Sequence, residues 1–302
     1  MDKLAKIKRA EELVGTIEDL PTIPVVANQV LLLLDKPEVR IEEVADLMLT
    51  DQVMTARVMK MVNSPVFKPG HEITSLRLAL IYLGLKHIRE LALTTSLIDA
   101  FGSDTGNFEV NTFWEHSFGV GMVSKIIAGK IGYPDIEKAY IGGIIHDLGV
   151  VFLSQYQREA FQEVLDSIKD KPIKLVDAEM DRLGTTHSEI GLCMAREWNF
   201  PEVYCELISY HHAPAEATID PVLCAIINLS DLFCSVRGLN YGGREWVSFN
   251  LSEEAAWQIL RKEAPNLANL DVERFCYELD DAIPDVTELV SSIFNSQQQA
   301  GD

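Results

Sequence analysis

The sequence predicts an all-α protein with a two-lobed helical architecture. Apolar residues recur at three- and four-residue intervals and rarely alternate, which is the signature of helices with one buried face. Proline and glycine cluster between the periodic stretches, where the missing amide donor or the need for turn geometry ends a helix. The 302 residues are 47% hydrophobic and 24% charged with no low-complexity tract, enough apolar material for a sizeable core. No credible strand pattern is present.

Taken in order, an amphipathic opening, "MDKLAKIKRAEELVGTIEDL", leads into "IPVVANQVLLLLD", "IEEVADLMLTDQVMTARVMKMVNS" and "SLRLALIYLGLKHIRELALTTSLIDAF". Pro37, Pro65, Pro69 and Gly70 punctuate these helices, and Ser75 is placed to cap the third. The methionines of "MTARVMKMV" suit a packed helix face. The polar break "GSDTGN", residues 102–107, separates an N-terminal lobe (1–104) from a second lobe (105–240). That lobe reads as helices at "TFWEHSFGVGMVSKIIAGKIGY", "IEKAYIGGIIHDLGVVFLSQY", "EAFQEVLDSIKD", "LVDAEMDRLG", "HSEIGLCMAREWNF", "PEVYCELISYHH" and "DPVLCAIINLSDLFCSVRGL". After "NYGGREW", an extension (241–302) closes the chain with helices near 252–263 and 271–295, acidic on their solvated faces and amphipathic enough for a homodimer contact.

Charge and cysteine usage exclude several function classes. With 46 acidic against 26 basic side chains, the net charge of -20 repels a phosphate backbone, so nucleic-acid binding is not expected. No apolar h-region follows Met1 and no run of 18 apolar residues occurs, so neither export nor a membrane span is expected. The five cysteines, Cys193, Cys205, Cys224, Cys234 and Cys276, are odd in number and form no CxxC pair. They read as buried thiols of a cytoplasmic protein.

Five of the seven histidines lie between positions 116 and 212: His116, His146, His187, His211 and His212. His146 and Asp147 stand side by side inside the apolar run "YIGGIIHDLGVVFL". A buried carboxylate is strongly disfavoured unless it is paired or bound to a metal, and mixed imidazole and carboxylate donors suit divalent transition ions. Adjacent helical residues point about 100° apart. The doublet can therefore share one ligand only near a helix end, an opening that Gly149 permits. Asp231 can complete such a set. Singly, each residue also has a packing role: His116 in the core, His187 beside the amides that open a helix, His211 and His212 as a protonatable pair closing one. His71 and His87, without acidic company, read as surface or packing residues.

In order and setting, His116, the His146-Asp147 doublet and Asp231 in "INLSDLF" resemble the HD superfamily of metal-dependent phosphohydrolases. His187 in "HSEIG" and the pair His211 and His212 resemble the histidines added in its two-metal, HD-GYP branch. By that resemblance, one metal takes His116, His146, Asp147 and Asp231. A second shares Asp147 and uses His187, His211 and His212. A closer resemblance covers residues from about 16 to 236. Leu20-Pro21, Asn63-Ser64, Ile73 with Ser75, Leu83-Gly84, "THSEIG" and "YHH" are similar to the HDOD family, the HD-related output domains of bacterial signalling proteins.

Two departures from the HD-GYP pattern bear on chemistry. No Gly-Tyr-Pro stretch follows the paired histidines, and Val150 stands where those enzymes carry a lysine. Both losses, together with the acidity of the chain, argue against hydrolysis of a cyclic dinucleotide. The resemblance thus implies a regulatory module with one or two bound metal ions and a signalling protein as partner. Its alternative is a metal-dependent phosphohydrolase acting on a nucleotide or another phosphate-containing small molecule. Iron, manganese, nickel, cobalt and zinc all fit the donor set.

Overall fold

The computed structural model describes residues 3–17, 24–34, 36–64, 67, 69–101, 108–169, 171, 173–241, 250–263, 277, 281 and 283–294, and among these it is helical with no strand. The Leu20-Pro21 pair, Pro65, the 102–107 break, Cys276 and most of "NYGGREW" and of 271–282 lie outside the described residues. The chain forms two compact units, residues 1–20 with 104–280 and residues 21–103 with 281–302.

The smaller unit contains α2 (Val25–Leu34), α3 (Ile41–Met48), α4 (Gln52–Val62), α5 (Leu76–Phe101) and α15 (Ile283–Phe294). The stretch 41–64, read as one run, is two helices because Asp51 leaves the helical conformation and its side chain accepts from Met54 N at 3.0 Å, capping α4. Ser75 Oγ accepts from Leu78 N at 3.3 Å at the start of α5. Asn63 grips the backbone ten residues on, its Oδ1 accepting from Ile73 N at 2.8 Å and its Nδ2 donating to Ile73 O at 2.9 Å. This pincer ties the end of α4 to the chain just ahead of α5. Helix α5 is kinked at Gly84, whose φ of 75° and ψ of 163° suit glycine almost exclusively.

The larger unit contains α1 (Lys3–Val14), α6 (Val110–Ile131), α7 (Ile136–Ile145), α8 (Leu148–Tyr156), α9 (Arg158–Ile168), α10 (Leu175–Leu183), α11 (His187–Glu197), α12 (Glu202–Tyr210), α13 (Pro221–Val236) and α14 (Ala255–Glu263), with 3-10 turns at Pro214–Glu216 and Leu251–Glu253. Its core is built on α6, α7 and α13, which pack mutually. Buried Trp114, Phe113, Phe118, Tyr140 and Phe152 fill it. This grouping differs from the expected division at 104 and 240. Helix α1 packs on α11, with Lys6 O accepting from Thr185 Oγ1 and Arg9 Nε donating to Leu183 O, while α15 packs on α4. Both pairings join segments far apart in sequence, so local periodicity carries no trace of them.

Candidate metal centre

The run 136–156 is also two helices. It breaks between Ile145 and Leu148, leaving His146 and Asp147 in the turn. Asp147, at φ -104° and ψ 23°, does not spend its carboxylate on capping α8. Gly149 lies inside α8, and its role is close approach: a Cβ there would stand 2.0 Å from His187 O. The missing side chain lets α8 press against the first turn of α11 and brings the doublet to His187. That helix begins with a capping box, in which Thr186 and Glu189 satisfy each other's backbone amides.

Four rings are oriented by the same device. His146 Nδ1 lies 2.7 Å from Gly143 O, His211 Nδ1 2.8 Å from Ile208 O, His116 Nδ1 2.7 Å from Leu239 O, and His187 Nδ1 2.8 Å from a Glu179 carboxylate oxygen. For His146 and His211 the partner is the carbonyl three residues back, one of the helix-terminal carbonyls that lack an intrahelical donor. Carbonyl and carboxylate oxygens only accept, so each Nδ1 carries the proton and donates. The Nε2 of each neutral ring then holds a lone pair.

Those Nε2 atoms converge on Asp147. Its Oδ2 is 3.0 Å from His146 Nε2 and 3.5 Å from His116 Nε2, while Oδ1 is 3.2 Å from His187 Nε2 and 3.4 Å from His211 Nε2. Buried Oδ1 has no hydrogen-bond partner. His187 Nε2 is 3.0 Å from His212 Nε2, and Asp231 Oδ1 is 3.4 Å from His116 Nε2. All seven residues singled out in the sequence therefore stand together. They form two groups, Asp147 with His187, His211 and His212, and His116 with His146 and Asp231, in each of which the donor atoms lie within 4.8 Å of one another. Asp231 and His212 are the members that reach solvent, with 14% and 35% of their side chains exposed. His71 is exposed, and His87 folds back on Leu83 O, in keeping with surface and packing roles.

Lone pairs facing one another at 3.3–3.4 Å around an orphaned carboxylate oxygen suit a cation. This buried His/Asp cluster can hold a metal ion. Protons respond to the same field. Burial alone would raise the Asp147 carboxyl, but the His146 and His187 imidazoles outweigh it and hold the group well below the usual carboxylate range. Burial would lower His187, but Glu179 and then Asp147 raise it well above the ordinary imidazole value. His212 is held well below, by burial and then by His211 and His187.

Two residues at this site were not visible as such in the sequence. Glu179 is fully buried and accepts from both His187 N and His187 Nδ1. Its signal is a carboxylate at the i+4 position between Leu175 and Leu183, on the buried face of α10. Tyr241, beyond α13, donates its hydroxyl to Asp147 Oδ2, and no local pattern marks it. Val150 is fully buried, so no cation stands there.

The HDOD domain family model matches residues 20–214. The chain belongs to the HDOD family. An HDOD domain protein of unknown function from Geobacter sulfurreducens is 31% identical, with a TM-score of 0.86 over 97% of this chain and 99% of that one. The same fold recurs at 19% identity in a Marinobacter aquaeolei VT8 protein provisionally assigned to signal transduction, with a TM-score of 0.74 over 96% of this chain and 67% of that one. It recurs again at 19% identity in a provisional phosphohydrolase of Shewanella amazonensis SB2B, with a TM-score of 0.73 over 93% and 97% of the two chains. A curated Treponema pallidum protein without assigned function is 26% identical over 208 residues, 68% of this HDOD chain. The chain spans 40% of that relative's length. No helix among the described residues is long and apolar enough to cross a membrane.

Proposed function

We propose that this HDOD chain is a regulatory signalling module, working in the cytoplasm, whose larger unit holds a pair of divalent transition-metal ions. One ion is held by His116, His146 and Asp231 and the other by His187, His211 and His212, with Asp147 shared between them. The observation that carries this reading is the Asp147 carboxylate, each of whose oxygens faces its own set of imidazole nitrogens. Iron, manganese, nickel, cobalt and zinc remain equal candidates, since all accept nitrogen and carboxylate oxygen. A signalling role with a protein partner is supported by HDOD membership and by the signal-transduction assignment of the Marinobacter relative. Buried Val150 supports regulation over turnover of a cyclic dinucleotide, because it offers no charge to a phosphate.

A second reading, hydrolysis of a phosphate ester, is favoured by the completeness of the donor set. A pair of adjacent ions supplies an activated water and charge neutralisation at a phosphoryl oxygen. The chain's own contribution is to exclude water around Asp147 while leaving an approach beside Asp231 and His212. Metal content of the purified protein, followed by phosphatase and phosphodiesterase screens of wild type, His146→Ala and Asp147→Ala, separates the two. Bound metal without mutation-sensitive turnover is the result expected. Turnover abolished by either substitution moves the chain to the second reading, and failure to take up any of the five metals removes both.

A further inference from the structure

The two oxygens of Asp147 are served by different parts of the chain. Around Oδ1 the bracing comes from helices: Glu179 on α10 accepts from His187, and Ile208 on α12 accepts from His211. Around Oδ2 two outer contacts come from one short stretch beyond α13. Leu239 O accepts from His116 Nδ1, and the Tyr241 hydroxyl donates to Asp147 Oδ2. This stretch is itself anchored. Gly238 turns the backbone at φ 82°, Leu239 N donates to Cys234 O at 3.0 Å, and Leu239 is buried. The Tyr241 ring packs among Phe108, Phe113 and His116, with centroids 6.0, 5.5 and 5.2 Å away. The hydroxyl is thus held in place by a rigid aromatic wall.

We propose that Tyr241 is a positioning residue for the half of the centre formed by His116, His146 and Asp231, and that the turn 238–241 sets the metal affinity of that half alone. The inference rests on the metal-centre reading above. A donor on one carboxylate oxygen takes up one of that oxygen's lone pairs and leaves the other directed at the imidazoles that face it, here His116 and His146 at Oδ2. Groups that orient ligands in this way are typically worth about 10- to 100-fold in metal affinity. Glu179 plays the corresponding part for the other half, through the His187 ring.

The test uses the full chain stripped of metal and titrated with zinc ion against a chromophoric chelator. Tyr241→Phe deletes the hydroxyl while keeping the ring in its wall, so a merely structural aromatic leaves both affinities intact. Wild type is expected to bind two ions. Tyr241→Phe keeps one at wild-type strength and weakens the other by about 10- to 100-fold, whereas Glu179→Gln weakens the one that Tyr241→Phe spares. Melting of the stripped proteins checks that Tyr241→Phe leaves the fold intact. Unchanged affinities in Tyr241→Phe, or equal weakening of both ions, overturns the proposal. A wild-type chain that takes up a single ion refutes the half-specific claim while leaving the metal-centre reading standing. A wild type that takes up no metal ends both.

Discussion

Among the described residues of the smaller unit, the buried side chains are apolar or neutral except for Arg57, which donates to Thr95 O at 3.2 Å. In the larger unit His116, His146, Asp147, Glu179, His187 and His211 are all less than 3% exposed and gathered in one cluster. The smaller unit builds its helices with caps, a kink glycine and an asparagine pincer, devices that fix local backbone geometry. The larger unit adds ionisable groups that an apolar core of the same volume would replace at little or no loss of stability. Burying such groups is costly, and this cluster can hold a metal ion, a capacity with no counterpart among the described residues of the smaller unit.

The largest expected effect is that of metal on the two units. An ion at 100 times its dissociation constant stabilises the state that binds it by about 2.7 kcal/mol. Hydrogen exchange in α7, α8 and α11 should therefore slow on adding metal and recover with chelator, while α2 to α4 stay unchanged. Equal slowing in both units would erase the contrast. Two glycine substitutions come next. Gly149→Ala places a Cβ 2.0 Å from His187 O, and overpacking of this kind costs about 1–3 kcal/mol. Urea denaturation should show that loss together with a fall in bound metal. Gly84→Ala, at φ 75°, should cost about 1–3 kcal/mol with metal content untouched. Metal loss from Gly84→Ala would contradict the division.

Asn63→Ala should destabilise by about 0.5–1.5 kcal/mol for each hydrogen bond to Ile73 that water does not replace, read from the same denaturation curves. The smallest effect concerns Glu206, away from the metal cluster. Burial would raise its carboxyl, but backbone amides of Asp220, Thr218 and Ile219 outweigh that and lower it below 4.5. A carboxyl lowered on folding adds stability that is present above 4.5 and lost as pH falls through the folded value. Glu206→Gln should flatten the acid limb of a plot of melting temperature against pH. An acid limb as steep as wild type would assign acid sensitivity to other carboxyls.

Much of the fold was legible because helices are local: α6, α9 to α13 and the capped start of α5 fall within a few residues of their periodic stretches. The two breaks, at Asp51 and at His146-Asp147, were less visible, since an apolar run keeps its periodicity across a turn whose cause is a cap or a distant contact. Seven side chains of the cluster could be singled out by type and order, because charge in an apolar run is costly wherever it occurs. Glu179 left a weak trace on its helix face, and Tyr241 left none.

By itself the sequence determined the helical class, the HDOD likeness and the chemical identity of the donors, all of which follow from residue type at short spacing. Only the tertiary structure decided that Asp147 stands between two groups of imidazoles, that α1 packs on α11, and that Glu179 and Tyr241 brace opposite sides of the cluster. Those facts depend on positions from 6 to 241 meeting in space, and periodicity within one helix holds no information about which distant helix its face will meet.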